Sequence, residues 1–254
     1  MAPSTVSVLI PCLVDQVYPE MGWAMVAVLR RLGYGVDYRR GQTCCGQPAF
    51  NAGHWGEARR VAGHCLEVFR GAERVVCPSG SCTAMLREFY AELFAGDARE
   101  AEAAALAGRV EEFSEFLLRE GAAGRLGARL PGRLGFHNSC HSRRELGQRD
   151  ESRRVLEQLE GCEVVEPLGE PDCCGFGGLF SVKFAGIAGA MAQSRLARFH
   201  ELGVARLAVN DPGCILHLRQ EAERAGLALE IRHVAEWVAE ALGVAAAPGA
   251  GAER

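Results

Sequence analysis

Apolar residues along the chain follow two spacings. The short runs Val6-Ser7-Val8-Leu9-Ile10, Val36-Asp37-Tyr38 and Arg74-Val75-Val76-Cys77 predict buried strands. Between them, apolar positions recur three and four residues apart. Met21, Met25, Val28, Leu29 and Leu32 follow Pro19, and Ala58, Val61, Ala62, Cys65, Leu66 and Phe69 follow Gly53. These predict amphipathic helices, the first opened by Pro19 and stopped at Gly33. Another helix follows Cys82 through Leu86 and Phe89. Residues 96–124 are rich in Ala and Glu and carry Leu106, Val110, Phe113, Phe116 and Leu117 at helical spacing, predicting a helical linker. A loop with Gly121, Pro131 and Gly132 closes it.

The order then repeats. Strands are predicted at 134–136, 162–168, 205–209 and 227–231, and helices at 152–159, after Cys214 and at 233–242. A long helix over 182–202 carries Phe184, Ile187, Met191, Leu196 and Phe199. Strands alternating with helices predict parallel α/β units. The resulting division is a first domain at 1–95, a helical linker at 96–132, a second domain at 133–245 and a small-residue tail at 246–254.

The cysteines carry the same duplication. Cys12 is followed after 31 residues by Cys44-Cys45-Gly46 and after 36 more by Cys82. Cys140 is followed after 32 residues by Cys173-Cys174-Gly175 and after 39 more by Cys214. Eight of the eleven cysteines thus fall into a frame that repeats at an offset of roughly 130 residues. Each frame cysteine follows a predicted strand, where ligands gather in parallel sheets, so four thiols per half are expected to converge there. Cys65 lies on a helical apolar face and Cys77 and Cys162 in strands, so these three are read as core residues.

Charge adds mainly exclusions. A net charge of −4 gives no electrostatic footprint for nucleic acid or an anionic membrane. No run reaches the roughly 18 apolar residues of a membrane span. The apolar start is too short for a signal sequence and lacks a basic lead. The expectation is a cytoplasmic protein, where clustered thiols mean metal or redox chemistry rather than disulfides. No glycine-rich nucleotide loop follows a strand.

Adjacent side chains diverge in extended backbone, so two neighbouring cysteines serve one tetrahedral zinc poorly. A cluster of several irons lets each neighbour take its own metal, and Gly46 and Gly175 permit the positive φ that turns both sulfurs inward. Zinc in one half remains an alternative.

The frame resembles the CCG domain, the cysteine-rich module of the heterodisulfide reductase B subunit and its relatives. The stretches Cys12-Leu-Val-Asp-Gln-Val-Tyr-Pro-Glu20, Gly41-Gln-Thr-Cys-Cys-Gly-Gln-Pro-Ala-Phe-Asn51, Pro78-Ser-Gly-Ser-Cys82, His137-Asn-Ser-Cys-His141, Cys173-Cys-Gly-Phe-Gly-Gly178 and Asp211-Pro-Gly-Cys214 resemble, more narrowly, the lactate-utilisation protein A family. The resemblance implies two tandem pseudo-symmetric CCG lobes and one [4Fe–4S] cluster per half. It also implies oxidation of L-lactate, or another 2-hydroxy acid, to pyruvate. Two further lactate-utilisation proteins, one ferredoxin-like, are the implied partners. In the heterodisulfide reductase type each half ends in Cys-x-x-Cys; here Met85 and His217 hold the last position. Four cysteines per half suit a cubane cluster, with His217 as a possible fifth ligand of the second.

Around the first quartet the polar neighbours in sequence are Gln42, Thr43, Gln47 and Ser81; around the second stand His137, His141, His217 and Arg144, with Asp172 and Asp211. A 2-hydroxy acid needs a base for its hydroxyl proton and a cation for its carboxylate. His141, Arg144 and His137 are therefore the candidate catalytic residues, and the second half is expected to face the substrate or partner while the first relays electrons. His54, His64, His200 and His233 lie on helical patterns without partners and are read as structural. Two other functions fit the same cysteines: a thiol–disulfide reductase subunit, or a zinc-held interaction module.

Overall fold

A computed structural model describes residues 4–121, 124, 127–168 and 173–244. Eight strands form two separate four-stranded sheets, and every strand pair is parallel. The first sheet holds β1 (Thr5–Val8), β2 (Gly35–Tyr38), β3 (Val75–Cys77) and β4 (Val110–Glu112), in the order β2-β1-β3-β4. The second holds β5 (Arg129–His137), β6 (Glu160–Val165), β7 (Arg206–Val209) and β8 (Glu230–His233), in the order β6-β5-β7-β8. Each strand of one sheet thus has its counterpart in the same place in the other. The central strands are buried on both faces, as parallel sheets covered by helices require.

The helices of the first half are α1 (Cys12–Gln16), α2 (Pro19–Arg31), α3 (Gln47–Asn51), α4 (Trp55–Val68), α5 (Gly80–Ala84), α6 (Tyr90–Leu93), α7 (Glu100–Ala107) and α8 (Phe113–Arg119). Those of the second are α9 (Cys140–Arg144), α10 (Glu151–Glu157), α11 (Leu179–Lys183), α12 (Ala185–Glu201), α13 (Pro212–Arg224) and α14 (Val234–Ala241). A π-helical turn, Met85–Phe89, joins α5 to α6 one turn beyond Cys82. No helix of the described residues is long and apolar enough to cross a membrane.

The segment 96–132 departs from the expected helical linker, because it supplies the first sheet's fourth strand and the helix after it. Leu106, Val110, Phe113 and Leu117 keep helical spacing, but the helix ends at Gly108 and Val110 pairs with Val75. A strand of three residues is too short to show alternation, so its signal is lost among the flanking helices. The second half repeats the arrangement in β8 and α14, and the repeat extends to the cap. Glu112 accepts from the Ser114 and Glu115 N–H groups while Glu115 reaches back to Glu112 N–H. His233 accepts from Ala235 N–H while Glu236 reaches back to His233 N–H. Both are capping boxes built on unrelated side chains.

The last helix of each half packs on the other half: α14 lies against α2, and α8 against α10. Their apolar faces meet in one central core that includes Val28, Phe116, Phe136, Val155 and Trp237. The two halves therefore share a core rather than hanging from a linker. The predicted helix at 182–202 is broken at Phe184, so Val182, Phe184 and Ile187 face solvent instead of the core. The tail 246–254 and Asp172 lie outside the described residues.

Candidate metal centre

The carboxyl ends of both sheets open on one cavity of about 210 Å³, and all eight frame cysteines line it. Within each half the sulfurs run in the same sequence. Cys12 meets Cys44, Cys44 meets Cys45, and Cys45 lies 3.5 Å from Cys82. Cys140 lies 4.0 Å from Cys173, Cys173 meets Cys174, and Cys174 lies 2.9 Å from Cys214. None of the eleven cysteines is in a disulfide. Cys65, Cys77 and Cys162 are absent from the lining, and Cys65 and Cys77 are buried in the first half's core.

A left-handed glycine turns each double cysteine. Gly46 has φ 90° and Gly175 φ 86°, and each donates its N–H to the first sulfur of its pair at 3.4 Å. That donation holds Cys44 and Cys173 below the ordinary thiol range, after the larger effect of thiols donating from Cys12 and Cys140 and from the second cysteine of each pair. The donors Cys12 and Cys140 are correspondingly raised, and burial adds to it.

Asp211 ties the two halves together at this point. Its Oδ1 accepts from the Gly213 and Cys214 N–H groups, capping α13. Its Oδ2 accepts from Ser79 Oγ at 3.1 Å and Ser81 N–H at 2.9 Å, at the start of α5 in the other half. Ser79 in turn caps α5 through Cys82 N–H. One carboxylate therefore positions the helices that carry Cys82 and Cys214. Beside it, Asn210 accepts from Ser139 N–H next to Cys140, and its carbonyl accepts from Gly80 N–H.

The residues expected to act around the second quartet are dispersed. His141 lines the cavity, its Nδ1 3.7 Å from Cys140 Sγ. Arg144 does not line it; it is exposed at the far end of α9, about 6 Å along the axis from Cys140 at 1.5 Å per residue. His217 is buried with its Nε2 bonded to the Ala188 carbonyl at 3.0 Å; it does not line the cavity, and it belongs to no group of three or more close metal-ligating donors among the described residues. The histidine that does approach them is His137. It is fully buried at the end of β5, and a ring nitrogen lies within 4.8 Å of the sulfurs of Cys174 and Cys214. In the first half, Gln47 and Ser81 line the cavity, with Gln47 Nε2 donating to the Ser81 carbonyl, whereas Gln42 braces Ile10 N–H. No arginine or lysine is among the described residues of the lining.

The donor set fits a cluster better than a single ion. Tetrahedral zinc would require four sulfurs mutually about 3.8 Å apart, from a Zn–S distance of about 2.3 Å. Among the described residues, His137, Cys174 and Cys214 form the only set of three or more such donors all within 4.8 Å of one another. Neither quartet therefore closes its sulfurs on one point; each runs as an arc of successive sulfur contacts.

The model of the cysteine-rich domain, CCG, matches residues 6–87 and 134–219. The chain is 41% identical to lactate utilization protein A of Geobacillus kaustophilus over 232 residues, covering 91% of this chain and 97% of the relative. It is 36% identical to lactate utilization protein A 2 of Bacillus cereus strain Q1, covering 93% and 98%. Among solved structures, glutamate racemase from Francisella tularensis aligns with 12% identity and a TM-score of 0.40, covering 96% of this chain and 81% of the racemase, a likeness too slight to support an argument.

Proposed function

Because the chain belongs to the lactate utilization protein A family of cysteine-rich (CCG) proteins, we propose that it serves L-lactate utilisation as an iron–sulfur electron-relay subunit. The complex would oxidise L-lactate, or another 2-hydroxy acid, to pyruvate together with two further lactate-utilisation proteins, one ferredoxin-like. The observation that carries this reading is the single cavity lined by two matching cysteine arcs. Cys12, Cys44, Cys45 and Cys82 would hold one [4Fe–4S] cluster, and Cys140, Cys173, Cys174 and Cys214 the other. Such clusters, when bound, take up and release electrons one at a time.

Oxidation of a 2-hydroxy acid to a 2-oxo acid releases two electrons and two protons, so two sites on one cavity match the electron count. The chain's own residues orient and shield this centre: Gly46 and Gly175 donate N–H groups to sulfur, Asp211 sets both helix starts, and His141 offers a proton acceptor beside Cys140. Among the described residues the lining holds no cation for a carboxylate, which favours relay here over binding of the acid itself.

A thiol–disulfide reductase subunit is the second reading, favoured by the two arcs facing one space. Reconstitution with the partner proteins separates the two. L-lactate-dependent reduction of an acceptor should fail with Cys45→Ser or Cys174→Ser and persist with Arg144→Ala; turnover of a disulfide but not of lactate would overturn the lactate reading.

A further inference from the structure

The two halves differ behind their quartets. In the second half Arg195 is 1% exposed, and its Nε donates to His137 Nδ1 at 3.1 Å. Its guanidinium stacks 4.6 Å over Phe199, on the same buried side of α12. Counting from Cys12 and Cys140, His137 takes the place of Leu9. Counting from Ala58 and Ala188, whose carbonyls close under Gly46 and Gly175, Arg195 takes the place of Cys65. The first half therefore has two apolar side chains, both buried, where the second has an imidazole and a cation.

Arginine never accepts a hydrogen bond and stays protonated. His137 Nδ1 must therefore be the accepting nitrogen, and the neutral ring carries its proton on Nε2. Nε2 is buried and has no hydrogen-bond partner among the described residues, while the ring sits beside Cys174 and Cys214. A protonated Nε2 is a donor and no metal ligand, so this nitrogen awaits an acceptor: negatively charged sulfur.

We propose that Arg195 fixes His137 as the Nε2–H tautomer and aims that N–H at the second cysteine arc, making the second site the stronger electron acceptor of the two. The inference rests on the cluster reading above. A hydrogen bond to sulfur and a nearby fixed positive charge both stabilise the extra electron of a reduced cluster, and both raise its potential. Each site receives one glycine N–H, but the first, backed by Leu9 and Cys65, has neither the imidazole donor nor the buried cation in these places.

The test uses the full chain purified without oxygen. Two-bond 15N–1H spectra of the histidine rings, with His137 assigned from the signals lost in His137→Leu, should show Nε2 protonated and Nδ1 bare. In Arg195→Leu that preference should weaken; in Arg195→Lys it should persist. Redox titration followed by absorbance and electron paramagnetic resonance should show two one-electron waves. His137→Leu and Arg195→Leu should each shift the same, higher wave downward and leave the other in place, with iron content unchanged. If Arg195→Leu fails to fold, His137→Leu alone carries the comparison, since it copies the first half. A proton on Nδ1, or a higher wave unmoved by His137→Leu, would overturn the proposal with the cluster reading intact. Wild-type protein free of iron would instead sink the cluster reading and the redox consequence with it, and the ring spectra would still decide the relay.

Discussion

Replacing Gly175 by alanine should be far more damaging than the same change at Gly46, although the two glycines hold equivalent positions. Both have positive φ, 86° and 90°, and alanine there costs about 1–2 kcal/mol. The difference lies in what a methyl group would meet. At Gly175 an added Cβ would sit 2.5 Å from the Ala188 carbonyl oxygen, closer than carbon and oxygen approach without bonding. That carbonyl belongs to the backbone of α12 and also accepts from His217, so it cannot swing aside cheaply. At Gly46 the equivalent distance to the Ala58 carbonyl oxygen is 3.2 Å, which a few tenths of an ångström relieves. Overpacking of the first kind adds about 1–3 kcal/mol. Gly175→Ala should therefore lose roughly 2–5 kcal/mol and Gly46→Ala about 1–2 kcal/mol. Urea unfolding of the anaerobic proteins measures both, and metal analysis should show the second site depleted in Gly175→Ala with the first retained. Equal losses, or a larger loss at Gly46, would refute the reasoning.

Asp211→Asn keeps an oxygen for the cap of α13 but turns an N–H group toward Ser81 N–H, leaving a half-buried donor unsatisfied at a cost of about 1 kcal/mol. Because that carboxylate serves both halves, metal content should fall at both quartets; loss confined to one would contradict its bridging role. Burial raises the Glu112 carboxyl to about 8, well above its value in an unfolded chain. The folded state then holds the proton more tightly, so its stability is greatest below the unfolded value and declines as pH rises toward 8. Glu112→Gln should remove that decline, gaining on the wild type by about 1.4 kcal/mol per pH unit across the window, as read from urea midpoints between pH 5 and 8. Parallel profiles for the two proteins would show that Glu112 does not stay protonated.

The parts of this molecule legible in its sequence are those where chemistry restricts the residue type. Thiolate ligands must be cysteine, and the turn after each pair must be glycine, so the duplicated frame stands out without a structure. Helix caps are less restrictive. Glu112 and His233 do the same work in the two halves and share no chemistry, so the strand predicted at 227–231 did not reveal its counterpart, the fourth strand of the first sheet. Proximity along the chain also misled. Arg144 is four residues from Cys140 yet faces solvent, while Arg195, more than fifty residues away, reaches the back of the site. A signal for it existed: Arg195 interrupts the apolar face made by Ala188, Ala192, Leu196 and Phe199, and a charge at such a position needs a buried partner.

Counting iron, acid-labile sulfide and zinc in protein purified without oxygen tests the central claim most directly. Two clusters held by two arcs predict a brown protein with iron and sulfide in equal amounts, negligible zinc, and half of the iron lost in either Cys45→Ser or Cys174→Ser. A colourless protein with stoichiometric zinc, or iron that survives both substitutions together, would contradict it.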